Sequence, residues 1–135
     1  MNPSTLNWPA ILVAAFFNFL MGYLWYSPML FGKAWMEAIG FKKEDSKRPD
    51  MTKVLTLFFI FSLIMSVNLA LFLNEPDTSW QRGAFYGFHI GFGFVAMSIF
   101  ITGQFEKRST AYMLIHGGYY CFCFVVMGAI LGAWR

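Results

Sequence analysis

Asn18, Asn68, His89 and His116 are the polar side chains set deep inside otherwise apolar runs. Ionisable or strongly polar groups in such surroundings are expensive and often mark solute or proton routes. With Ser66, and with Tyr119 three residues past His116, they outline a polar path. The competing reading is hydrogen-bond glue between helices, about 0.6 kcal/mol per contact. The glue reading has the advantage, because no Asp or Glu accompanies either histidine. No nucleophile is paired with a base, so no catalytic residue is expected and the chain reads as a non-enzyme. Cys121 and Cys123, two apart on a helix, point apart and cannot easily form a disulfide. No Cys/His spacing matches a metal site, so neither metal nor cofactor is expected.

The elements that position these residues follow from composition. Of 135 residues, 58% are hydrophobic and 13% charged, with a mean hydropathy of +0.53. Ordinary soluble domains carry about 25% charged residues, and a soluble chain this small lacks the polar residues to cover itself. A lipid-facing exterior removes the difficulty. Crossing a bilayer takes roughly 20 apolar residues per helix. Uncharged runs of that kind fall at 8–26, 54–74, 83–103 and 111–134. The expected fold is therefore all-α, a polytopic membrane domain over 1–135 with four transmembrane helices. The first run lacks a basic n-region and an Ala-x-Ala site, so it reads as a retained span.

Trp8, Trp25, Trp80 and Trp134 fall at run ends, where an amphipathic ring suits the headgroup layer. Pro9 fits a first helical turn, and Thr78 with Gln81 reads as a capping box before the third span. Lys33, Lys42, Lys43, Lys47, Arg48, Lys53, Lys107 and Arg108 follow spans one and three, against Arg82 and Arg135 on the other side. That bias predicts those two segments cytoplasmic and both termini outside. It also replaces a nucleic-acid explanation of the net charge of +3, since no basic stripe interleaves with aromatics.

Between the first two spans, Ser27 and Pro28 read as the N-cap and first residue of a new helix over 28–39. Trp35 lies on its broad apolar side, Lys33 and Glu37 form a narrow polar one, and Gly40 is placed to end it. This spacing predicts a short amphipathic helix in the interface. A solvated, mixed-charge linker fills the rest of 40–53.

Each span carries small residues at a spacing of four, as helix contacts in lipid require. They are Ala10, Ala14, Asn18 and Gly22; then Ser62, Ser66, Ala70 and Asn74. The third span has Gly83, Gly87 and Gly91, and the fourth Gly117, Cys121, Gly128 and Gly132. One bundle can satisfy all four stripes internally, although two glycine-rich faces also predict a homo-oligomer or a subunit of a membrane complex. At about 1.5 Å per residue, His89 and Asn68 reach roughly 10 Å into the outer half. They share a layer and are placed to hydrogen-bond. His116 lies about 10 Å from the opposite boundary.

The run LWYSPMLFGKAWM, Leu24 to Met36, the GGYY segment, Gly117 to Tyr120, and the ending MGAILGAW, Met127 to Trp134, resemble domain-of-unknown-function family 1761. These are small bacterial membrane proteins of four helices. The resemblance implies that the turn after span one and the last span matter most, and it brings no activity. In that family Asn or Asp often stands where this chain has His116, which implies a hydrogen-bonding role there.

Two functions compete on this reading. One is passage of a small solute or ion through an oligomeric bundle, toward which the graded polar residues lean. The alternative is a non-catalytic scaffold or accessory subunit that binds lipid or a larger membrane complex.

Overall fold

Side-chain caps set the helix starts. Asn7 accepts from the Ala10 N–H and opens α1 (Trp8–Trp25), with Pro9 in the first turn. Asp50 accepts from the Thr52 and Lys53 N–H groups and opens α3 (Met51–Phe72). Such caps satisfy donors that a helix start leaves unpaired. The computed structural model describes residues 2–40 and 50–134. The mixed-charge linker expected after the short helix falls largely on 41–49 and lies outside the described residues.

The remaining elements are α2 (Gly32–Ala38), α4 (Trp80–Ile90), a π-helical segment (Gly91–Ala96), α5 (Met97–Phe105) and α6 (Thr110–Ala133). α4, the π segment and α5 run on as one rod, Trp80–Phe105. Among the described residues the fold is all-helical, and four helices are long and apolar enough to cross a membrane.

Two expected caps sit elsewhere. α4 is capped by Ser79, whose Oγ accepts from the Arg82 N–H, and not by Thr78 with Gln81. The Thr78 N–H is held in a turn by the Glu75 carbonyl, which delivers Ser79 in extended conformation to the helix start. The second correction is at Ser27 and Pro28, which do not open α2. Ser27 Oγ donates to the Leu24 carbonyl at 2.6 Å, and its own carbonyl accepts from the Leu30 and Gly32 N–H groups. Residues 27–31 are spent closing α1, so α2 begins only at Gly32. Gly40 does end it, with φ 68° and its N–H on the Glu37 carbonyl.

α6 is the spine. It packs most extensively on α4 and the π segment, and also on α1, while α3 packs chiefly on α1. The order around the bundle is thus α3, α1, α6, α4. α3 and α4 do not close against each other, and a lateral groove separates them.

Small residues make the two tight seams. Along α1, Ala10, Ala14, Asn18 and Gly22 are buried, and Ser62, Ser66 and Ala70 of α3 are buried too. Ser66 Oγ donates to the Ile11 carbonyl at 2.7 Å across that seam. Between α4 and α6, a Cβ on Gly83 would run into the Gly128 carbonyl, and one on Gly87 into the Phe124 carbonyl. A Cβ on Gly91 would meet the Tyr120 carbonyl, and one on Gly132 the Ser79 carbonyl. Backbone meets backbone here, so only glycine fits. These stripes are consumed within the chain, which removes them as grounds for self-association.

The π segment maintains the seam. The α6-facing positions advance by four from Gly83 to Gly91 and then by five to buried Ala96. One added residue per turn keeps that face on α6. Phe100 continues it, lying 2.9 Å from where a Cβ on Gly117 would stand.

Candidate functional site

The polar residues divide into two buried groups and one surface pair. At mid-bundle, Asn18 Nδ2 donates to Ser62 Oγ at 2.7 Å. The Tyr119 hydroxyl donates to the Asn18 carbonyl at 2.7 Å and to its Oδ1 at 3.0 Å. Asn18, Ser62 and Ser66 are fully enclosed, and Tyr119 is 1% exposed. Three helices are joined by this network, and each polar side chain in it has a partner. Buried polar groups satisfied this way rigidify a bundle.

The second group joins the turn after α1 to α6. The Tyr26 hydroxyl and His116 Nδ1 hydrogen-bond at 2.6 Å. Trp25 Nε1 donates to the Ile115 carbonyl at 3.0 Å. Trp35 of α2 meets Tyr26 edge-on, centroids 5.2 Å apart, and Tyr112 meets His116 edge-on at 4.3 Å. Tyr26 also contacts Tyr119, at 5.5 Å between centroids, which connects this group to the first. Arg108 lies over the Tyr112 ring at 4.9 Å. His116 Nε2 is enclosed and has no hydrogen-bond partner among the described residues.

Gly32 makes the turn possible. A Cβ there would come within 2.6 Å of the Tyr26 carbonyl and 2.7 Å of the Ser27 carbonyl. Without one, α2 folds back under the end of α1 and brings Trp35 onto Tyr26. Lys33 is exposed at the start of α2.

His89 and Asn68 do not bond to each other, contrary to expectation. His89 Nδ1–H donates to the Phe85 carbonyl at 2.8 Å, and Asn68 Nδ2 donates to the Ile64 carbonyl at 2.8 Å. Both are exposed, and each pairs with its own helix one turn back. The reason is the gap between α3 and α4: with no close seam, back-bonding is the local way to satisfy a polar group in an apolar setting. They face the same groove nevertheless. His89 lines its outer part with Glu75, Tyr86 and Phe94; Asn68 lines its deeper part with Ile64 and Phe124; Phe72 and Ile90 border both.

The expected polar path is therefore not continuous. Asn18, Ser66, Tyr119 and His116 lie inside the bundle, whereas Asn68 and His89 lie on its flank. Tyr26 was not among the residues expected to form a site, and Ser62 was expected only as a packing position, although both carried a signal. Tyr26 belongs to the LWYSP run, and Ser62 to the small-residue stripe of α3. Among the described residues no three His, Cys, Asp or Glu side chains come together as metal ligands.

Two of the three motif segments thus meet in one place, Trp25, Tyr26, Gly32 and Trp35 from LWYSPMLFGKAWM and Gly118 and Tyr119 from GGYY, while Gly128 and Gly132 of MGAILGAW pack on the start of α4. The model of the family described as protein of unknown function DUF1761 matches residues 9–132. The chain belongs to this family. No curated protein and no solved structure matches it. The DUF1761 match covers all four spans and the turn between the first two, so the resemblance read from short motifs extends across the bundle. It supports a membrane protein and assigns no activity.

Proposed function

We propose that this DUF1761 protein is a non-catalytic scaffold or accessory subunit of the bacterial inner membrane, binding lipid or a larger membrane complex through its flank. One observation carries this reading: the buried polar side chains close on one another, Asn18 with Ser62 and Tyr119, Tyr26 with His116, and His116 Nε2 alone is left without a partner among the described residues. Groups already paired in close packing act as glue and do not line a route for solutes. Solute or ion passage, toward which the sequence leans, loses its main support once the polar series is split between interior and flank.

The orientation in this reading is both termini periplasmic or extracellular. Lys33, Lys53, Lys107 and Arg108 gather at the end of the bundle where Trp25 reaches Ile115, and Arg82 stands near the other end. Purification in a mild maltoside is expected to recover a stoichiometric membrane partner or tightly held lipid. Reconstituted vesicles are expected to show no solute or proton flux. A flux that His116→Ala abolishes, or recovery as a homo-oligomer free of lipid and partner, would overturn the proposal.

A further inference from the structure

The groove between α3 and α4 has the chemistry of a site for one kind of amphiphile. Its outer part encloses about 760 Å³ and its deeper continuation about 250 Å³. Phe72, Tyr86, Ile90 and Phe94 supply apolar and aromatic walls to the outer part. Two polar side chains share it, Glu75 and His89.

Glu75 stands just past the end of α3, at the expected membrane boundary, and no Lys, Arg or His pairs with it among the described residues. His89 spends its Nδ1–H on the Phe85 carbonyl, because a carbonyl can only accept. The Glu75 carboxylate, at the boundary and without a cation partner among the described residues, calls for a ligand that carries positive charge and donates N–H groups. The aromatic walls favour the same charge through their ring faces.

Depth supplies the rest. Below Phe72 and Ile90 the groove runs toward mid-bundle between Ile64, Leu69 and Phe124, and Asn68 at its edge has turned its amide to its own helix. Only an alkyl chain suits that part. The polar end at the boundary and the apolar run beneath it follow the head-to-tail order of a membrane lipid.

We propose that this groove binds a lipid with a primary ammonium headgroup. The ammonium pairs with Glu75 at the boundary, and an acyl chain lies along Phe72, Ile90 and Phe124. The site gives the lipid-binding flank of the proposed function a specific occupant, and it rests on that reading.

Native mass spectrometry of the full chain after exposure to single lipids tests this. Phosphatidylethanolamine is expected to be retained about tenfold more strongly than phosphatidylglycerol, the scale of one charge-assisted hydrogen bond. Phosphatidylcholine, whose head has no N–H, is expected to fall between them. Glu75→Gln should erase the preference while the melting temperature stays unchanged, and Ile90→Trp should displace phosphatidylethanolamine by filling the groove. Equal retention of ethanolamine and glycerol lipids, or an unchanged preference in Glu75→Gln, would overturn the proposal. So would disulfide dimers formed through Phe94→Cys in the membrane, which would place a second copy in the groove.

Discussion

The Tyr26 hydroxyl and His116 Nδ1 stand 2.6 Å apart although 90 positions separate them in the chain. This contact fastens the turn after the first span to the last span. It gives His116 Nδ1 a hydrogen-bond partner.

Replacing Tyr26 by Phe removes the hydroxyl and leaves a ring of nearly the same shape. The expected cost is about 1 kcal/mol, because the imidazole loses its partner. Thermal unfolding in detergent reads it. Combined with His116→Asn, the loss should fall short of the sum of the two single changes. Strict additivity would mean the two side chains do not interact.

Asn18 holds three helices together, so Asn18→Leu orphans the Ser62 hydroxyl and leaves the Tyr119 hydroxyl only the carbonyl of residue 18. A loss of about 1–3 kcal/mol is expected. Ser62→Ala in the same background should add little, since its partner is already gone. A stability equal to wild type in Asn18→Leu would show that the network is dispensable.

The α4–α6 seam tolerates no side chain where backbones meet. Gly83→Val would drive a branched side chain into Gly128, and the variant is expected to lose a monodisperse fold in size-exclusion chromatography. Gly93→Ala is the matched control on the same rod. Nothing lies within 4 Å of where its Cβ would stand, so its stability in thermal unfolding should hold within about 0.5 kcal/mol.

Gly32→Ala tests the reversal of the chain. The added methyl would press on the Tyr26 and Ser27 carbonyls, which are backbone and cannot rotate aside. Displacement of α2, at a cost of about 1–3 kcal/mol, is expected. A cysteine at Lys33 reports it through altered labelling by a membrane-impermeant maleimide.

The helix count, span positions and small-residue stripes were legible because each depends on residues close in sequence. Lipid demands long uncharged runs and close backbone contact, and both demands leave periodic marks such as Gly83, Gly87 and Gly91. The cap at Ser79 was misplaced to Thr78 because two neighbouring hydroxyls have the same local chemistry, and only the turn from Glu75 selects between them. The helix expected from Pro28 begins at Gly32 for a similar reason: local preference was overruled by the need to seat Trp35 on Tyr26. The π segment had a mark in the sequence, the step of five from Gly91 to Ala96, which stands out only once α6 is known to be the face being followed.

Pairing across the bundle was a different matter. Depth along a helix follows from counting residues, and Asn68 and His89, expected in one layer, both border one groove. Which helices touch depends on how four rods arrange themselves around one another, and no count along the chain contains that. Here α6 took the centre and α3 and α4 stayed apart. That arrangement turned Asn68 and His89 outward to a groove, and it gave Asn18 to Ser62 and His116 to Tyr26. Sequence alone determined that the chain is a four-span helical membrane protein, because hydropathy and length are local quantities. Only the tertiary structure decided which polar groups are glue and which border an open site, because that depends on contacts between residues far apart in the chain.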